Sequence, residues 1–252
     1  MSEPESGRFN IIVRSYEDGE GIQRAIDSCP EGGSILLRGK WFRVKKTLRL
    51  NRSVHLFGRG KVTLDPCIPY DGDGATLIES TAASASIDGL KVDGEAESDY
   101  ARAMDLQDED MDDFSYFCVT SGRLRLQGCG ASHSQSVNRA NMLTVEGPTA
   151  HCDAIGCTFH GPGLYGVWFR ARASGSVVGC HLRDFVSSGV ALDYGGSGAS
   201  PLVRVTRNTF SDCSLGVIVW VTADPDWALA TGEGNTFINC TLSFGRNVFV
   251  PN

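Results

Sequence analysis

The feature that most constrains this chain is a repeat. Short blocks recur in which a glycine or arginine precedes a cysteine or asparagine, with a large apolar side chain two residues further on. They read Gly156-Cys157-Thr158-Phe159, Gly179-Cys180-His181-Leu182, Arg207-Asn208-Thr209-Phe210 and Gly234-Asn235-Thr236-Phe237, with starts 23, 28 and 27 residues apart. Gly128-Cys129 opens the same block 28 residues before Gly156, and Gly89-Leu90-Lys91-Val92 reads as an earlier copy. A second element follows the middle blocks: Gly166-Val167-Trp168-Phe169, Gly189-Val190-Ala191-Leu192 and Gly216-Val217-Ile218-Val219. Its alternation at period two marks a strand.

Repeats of this length, built from short strands with turns between, predict a parallel β-helix in which each coil covers the one before. Aligning the blocks stacks Phe159, Leu182, Phe210 and Phe237 in one inward file and Val167, Val190 and Val217 in another. Cys129, Cys157 and Cys180 then share a turn position with Asn208 and Asn235, where a small thiol or a backbone-bonding amide occupies the bend. A β-sandwich or up-and-down barrel also uses many short strands, but neither demands the same residue type at the same register. The expectation is an all-β, single-stranded helix spanning residues 1–252 as one domain.

A coil stack has open ends, so a cap is expected. Ile22, Ala25, Ile26 and Cys29 fall at i, i+3, i+4 and i+7, which predicts an amphipathic helix over residues 19–29, ended by Pro30 and Gly32-Gly33. The stretch Asp18-Gly19-Glu20-Gly21-Ile22-Gln23-Arg24-Ala25-Ile26-Asp27, followed by Gly32-Gly33-Ser34-Ile35-Leu36-Leu37-Arg38-Gly39-Lys40-Trp41, resembles the lead-in of pectin-lyase-like proteins. That resemblance implies a right-handed β-helix behind a capping α-helix. The Gly-Cys and Arg-Asn blocks are similar to the repeats of its carbohydrate-binding and sugar-hydrolase subgroup. This subgroup holds enzymes and also non-enzymatic intracellular proteins, such as an F-box protein and a Shc-binding protein. The likeness covers roughly residues 10 to 245 and implies a fold more than an activity.

Charge is unevenly spread. Residues 93–113 carry ten acids against Arg102, a local net of −9 in a chain of −7. An acidic insertion over 93–118 is therefore expected to interrupt the coils, as a solvated loop or a partner contact. Its Asp108, Asp110 and Asp112 mimic a calcium loop, but Asp113 stands where glycine is needed and Val119 where the bidentate glutamate is needed. Conversely, Arg38, Lys40, Arg43, Lys45, Lys46, Arg49, Arg52, Arg59 and Lys61 lie in a span without one acid. The core of this patch, Arg38 to Arg49, suits an anionic ligand or the protein's own acidic segment. Nucleic acid is disfavoured by the net charge and the lack of a recognition motif.

Chemistry is mostly missing from the linear sequence. The polygalacturonase-like set is not matched: Asn208-Thr209 and Asn235-Thr236 are each followed by phenylalanine, and Phe159 precedes His160-Gly161. No phosphate loop, dinucleotide fingerprint or assignable Ser-His-Asp set appears, so no cofactor is expected. His151, Cys152, Cys157 and His160 have the residue types for zinc, but alternation sends neighbours to opposite sides of a strand, and no metal is expected. His55, His133 and His181 show no partner. On the outward side of the second strand file, Trp168, Arg170, Asp193, Tyr194 and Trp220 form a candidate binding face, with Arg170 and Asp193 as neighbours. The plain alternative is a surface ion pair and tryptophans tucked under loops.

Nine cysteines without a basic, apolar leader at Met1–Ser6 are expected to be reduced, which places the protein in the cytosol or nucleus. No apolar run suffices to cross a membrane. The first functional expectation is a non-catalytic intracellular binding or scaffold module displaying a ladder surface to a protein or glycan partner. The alternatives are a polysaccharide lyase-like enzyme acting on an acidic polysaccharide, and a structural protein that self-associates, with Val248-Phe249-Val250 as a contact.

Overall fold

The computed structural model describes residues 9–67, 76–94, 114–133, 140–193, 203–221 and 234–248. They form a right-handed parallel β-helix with one short helix at its start. Each coil has three strand stretches separated by bends, so the stack presents three faces, and every pairing between coils is parallel. On the first face the inward file runs Ile35, Leu56, Ile87, Leu126, Ala154, Val177 and Val205. On the second it runs Phe42, Leu64, Val92, Ala131, Phe159, Leu182, Phe210 and Phe237. On the third it runs Leu48, Ile78, Phe117, Leu143, Val167, Val190 and Val217.

Every residue in these files except Phe237 is buried. A lone coil has no means of hiding such a row, but coils stacked about 4.8 Å apart enclose it and satisfy each other's backbone groups. Phe237 packs partly buried on the last described coil, its ring 5.1 Å from that of Phe210 and tilted by only 8°. The register places Phe159, Leu182, Phe210 and Phe237 at successive levels, as the repeat predicts.

The bend before the second face explains why cysteine and asparagine interchange. The Cys180 N–H donates to Asn208 Oδ1 at 2.8 Å, and Asn208 Nδ2 donates to the Val177 carbonyl at 2.9 Å. One coil earlier, the Cys157 N–H donates to Cys180 Sγ at 3.3 Å, and that thiol donates to the Ala154 carbonyl at 3.4 Å. Val177 precedes Cys180 by the same three residues as Ala154 precedes Cys157. Thiol and amide thus each provide one acceptor and one donor to the same two backbone groups of the coil below. The residue before each bend has a left-handed backbone, with φ of 59° at Gly156, 63° at Gly179 and 58° at Arg207. A methyl group placed on Gly156 or Gly179 would meet only open space, so glycine is used there for its φ and not for room.

The open end of the first coil is covered as the sequence implies. The helix Asp18–Ser28 buries Ile22, Ala25 and Ile26 against that coil. Its polar side chains also satisfy the exposed strand edge. Asp18 Oδ1 accepts the Arg43 N–H at 3.2 Å, and Gln23 both accepts the Arg49 N–H at 2.8 Å and donates to the Arg49 carbonyl at 3.3 Å. The edge that would otherwise recruit another strand is closed from within the chain.

One boundary needs correction. Asp93 ends the strand Ala85–Asp93, and Ser115–Val119 is itself a strand paired with Thr76–Ser80 and Asn141–Glu146. The acidic insertion therefore does not extend to 118: Phe114, Tyr116 and Phe117 are buried because they belong to a coil. Its charged part, 95–113, lies outside the described residues. No described helix is long and apolar enough to cross a membrane.

Two expected outcomes follow from this packing. Replacing Cys180 with valine removes the acceptor for the Cys157 N–H and the donor for the Ala154 carbonyl, and should cost about 2 kcal/mol in urea-unfolding free energy. Cys180→Asn keeps both and should stay within about 1 kcal/mol of the parent. His133 is buried with Nδ1 2.7 Å from the Tyr116 hydroxyl, and burial lowers its pKa to about 4. The unfolded chain, titrating near 6.5, then takes up the proton first, so stability is fully present above about pH 6.5 and falls as pH drops toward 4. The loss is on the order of 3 kcal/mol, and His133→Gln should flatten that segment of the stability-versus-pH curve.

Candidate functional site

The core occupies the inside of the stack, so any ligand chemistry has to come from outward positions. On the third face, Trp168 aligns with Ala191 and Ile218, and Arg170 aligns with Asp193 and Trp220. These residues lie as neighbours, but the surface is less open than a binding face requires. Tyr165, Ala191 and Ile218 are buried there, with Leu164, Trp168, Leu215 and Trp220 packed against them. The Tyr165 ring is 5.2 Å from Trp168 and 5.5 Å from Trp220. Arg170 stacks on Trp168 with its guanidinium carbon 4.4 Å from the ring centre, and its Nε lies 3.4 Å from Glu146 Oε1 on the preceding coil. This is a second, external apolar cluster with a cation laid over it. Tyr194 lies outside the described residues.

The basic patch is more open. Arg38, Lys40, Arg43, Lys45, Lys46 and Arg49 are all exposed on the first coil: Arg38 follows the inward Leu37, Arg43 and Arg49 alternate with the inward Phe42, Val44 and Leu48, and Lys40, Lys45 and Lys46 lie in the bends between strands. Two are partly neutralised from the next coil: Arg43 Nε lies 3.7 Å from Asp65 and Arg49 Nε 3.5 Å from Glu79. Burial raises the Asp65 pKa, with Arg43 opposing the shift. Among the described residues, Arg38, Lys40, Lys45 and Lys46 have no carboxylate within ion-pair reach. Trp41 projects between them, 43% exposed, with Lys40 Nζ 5.9 Å above its ring. A search for charge alone passes over Trp41, although its alternation with Phe42 gives its direction. The side chains of Arg59 and Lys61 are outside the described set.

Two further polar clusters repeat no residue type and so escape a search for repeats. Beyond the second face, Asp184 and Asp212 occupy equivalent positions on successive coils, at φ of 61° and 55°. Arg183 Nε lies 3.0 Å from Asp184 and 3.5 Å from Asp212, while His160 Nε2 lies 2.8 Å from Asp184. Asn239 Nδ2 donates to Asp212 Oδ1 at 3.1 Å. On the first face, His151 and Asp153 of one coil meet Ser174 and Ser176 of the next. The expectation that no Ser-His-Asp set is assignable is corrected here: His151 Nδ1 is 2.9 Å from Ser174 Oγ, and its Nε2 is 3.2 Å from Asp153 Oδ2.

The zinc-like residues part as alternation dictates. His151 points outward on the first face, Cys152 is fully buried beside it, Cys157 sits in the bend file and His160 faces outward on the second face. No group of three or more potential ligands occurs among the described residues. Burial pushes the Cys213 thiol up to about 12, which keeps it protonated and suits it to packing and to donating a hydrogen bond.

No protein-family model matches the chain, and no curated protein matches it. Among solved structures, an endo-xylogalacturonan hydrolase from Aspergillus tubingensis superposes with a TM-score of 0.57 at 15% identity, covering 96% of this chain and 69% of the hydrolase. A Geobacillus virus E2 protein, ORF18, gives a TM-score of 0.42 at 12% identity, covering 96% of this chain and 62% of the viral protein. This chain thus spans under two thirds of the length of the viral protein. At such identity the hydrolase likeness is one of fold: the chain shares the parallel β-helix of that enzyme.

Proposed function

We infer that this β-helix is a non-catalytic binding or scaffold module whose partner is an anionic glycan, held on the basic surface of the first coil. One observation carries the reading: exposed Trp41 sits on a rigid strand among Lys40, Lys45, Lys46 and Arg38, none of them paired with a described carboxylate. A tryptophan face stacks on a sugar ring, and the surrounding cations attract its carboxylate or sulfate groups. The strand scaffold fixes these groups before the ligand arrives, which lowers the ordering cost of binding.

A second reading, cleavage of the glycan, is favoured by the pair Asp184 and Asp212. Both carboxylates converge on Arg183 Nε, at 3.0 and 3.5 Å, and a pair of carboxyl groups brought side by side is what glycoside hydrolysis requires. His160, hydrogen-bonded to Asp184, adds a group able to carry a proton.

Titration calorimetry with polygalacturonate separates these. Binding should weaken about tenfold in Trp41→Ala and in the Lys45→Glu/Lys46→Glu double variant, and should fall as salt is raised. A neutral glucan should not bind. Equal affinity in parent and variants, or no affinity for any charged glycan, contradicts the binding reading. The same mixtures assayed for new reducing ends and for unsaturated uronate absorbance decide the second: product that disappears in Asp184→Asn would make the protein an enzyme.

A further inference from the structure

The polar square on the first face goes beyond glycan binding. Residues two apart on a strand share a side, and coils stack in register, so His151 and Asp153 on one coil lie under Ser174 and Ser176 on the next. The four side chains are joined: Ser174 Oγ to His151 Nδ1 at 2.9 Å, His151 Nε2 to Asp153 Oδ2 at 3.2 Å, and Ser176 Oγ donating to Asp153 Oδ1 at 2.7 Å. All four are half-buried, open enough for a ligand and held on rigid strands. Ser174 Oγ also donates to the Ala150 carbonyl at 3.4 Å, Arg123 Nη2 lies 3.0 Å from His151 Nε2 and donates to it when that nitrogen carries no proton, and exposed Arg204 is in register with Ser176 on the following coil.

The geometry points to an ester-cleaving site in which Ser174 is the nucleophile, His151 its base, and Asp153 the positioning residue that directs the ring. A hydroxyl, a base within hydrogen-bond reach and a third group orienting that base are the arrangement that activates a serine, whichever ring nitrogen faces it. The tautomer with its proton on Nε2 directs that proton at Asp153, with the exposed Arg123 side chain turned away from the ring, and leaves Nδ1 free to accept the Ser174 proton once the hydroxyl releases the Ala150 carbonyl. Ser174 Oγ then bonds to the carbonyl carbon of an ester, and the carbonyl electron pair moves onto its oxygen, beside Arg204. As the carbon–oxygen bond to the alcohol breaks, His151 Nδ1 returns the proton to the departing alkoxide. Water adds to the acyl-serine by the same route, releasing the acid and restoring Ser174. Ser176 fixes Asp153 by donating to its Oδ1. The substrate class is a small O-acyl ester reached from solvent, such as an acyl substituent on a sugar hydroxyl, and the site is separate from the basic surface of the first coil.

The test treats the full chain with an alkyl fluorophosphonate and maps the adduct by peptide mass, alongside turnover of p-nitrophenyl acetate. A single adduct on Ser174 is expected, with labelling and turnover lowered about 100-fold in His151→Gln. Ser174→Ala should abolish the adduct. Asp153→Asn should slow labelling and displace its pH profile without lowering the melting temperature, which a merely structural carboxylate would not do. An unlabelled parent protein, an adduct on another residue, or undiminished labelling in folded His151→Gln overturns the assignment. The parent's labelling alone decides the matter if a variant does not fold.

Discussion

The hydrogen bonds between one coil and the next, both along the strands and through the bend side chains, are the interaction on which everything else rests. No coil encloses its apolar residues by itself, so inward files such as Phe159, Leu182 and Phe210 become a core only when the register is kept. The bend file of Cys157, Cys180, Asn208 and Asn235 reinforces that register by tying backbone groups to the side chain of the following coil. The Asn235 amide repeats the pattern at the last of these levels, donating to the Val205 carbonyl at 2.9 Å. The helix Asp18–Ser28 imitates the same connection at the start, with Asp18 and Gln23 in place of a preceding coil.

Because the inside is consumed by packing, the outside is free to differ from face to face. One face carries a polar square around His151, the corner beyond the second carries Asp184 and Asp212, and the third carries an aromatic cluster around Tyr165. Each is assembled from residues far apart in the chain but about 4.8 Å apart along the axis. The fold thereby brings chemistry together without any local sequence motif, consistent with finding the same architecture in an endo-xylogalacturonan hydrolase at 15% identity.

The inward half of the structure is legible in the sequence because core positions demand the same residue type at every level. Phe159 to Phe237 and Cys129 to Asn235 align on that ground alone. The acidic insertion reads too long from sequence because Ser115–Val119, like Thr76–Ser80 and Asn141–Glu146 on either side of it, lacks the glycine that marks the later copies at Gly166, Gly189 and Gly216. The third face is legible residue by residue, yet its partial closure is not, since alternation gives a direction and not what lies over it. The two polar clusters escape a repeat search for a different reason: they repeat no residue type. Their signal is position. His151 and Ser174 each stand six residues before a bend cysteine, and Asp184 and Asp212 each stand four after a bend residue. Counting from Cys157, Cys180 and Asn208 pairs them.

Residue-resolved hydrogen exchange on Asn208→Ala tests the coil-to-coil connection most directly, because Asn208 Oδ1 accepts the Cys180 N–H from the coil below. Exchange at the Cys180 amide should speed up by about tenfold, the equivalent of one lost hydrogen bond of roughly 1.4 kcal/mol, while the amides of Leu64 and Val92 keep their protection. An unchanged Cys180 amide, or an equal acceleration along the whole chain, would contradict the account.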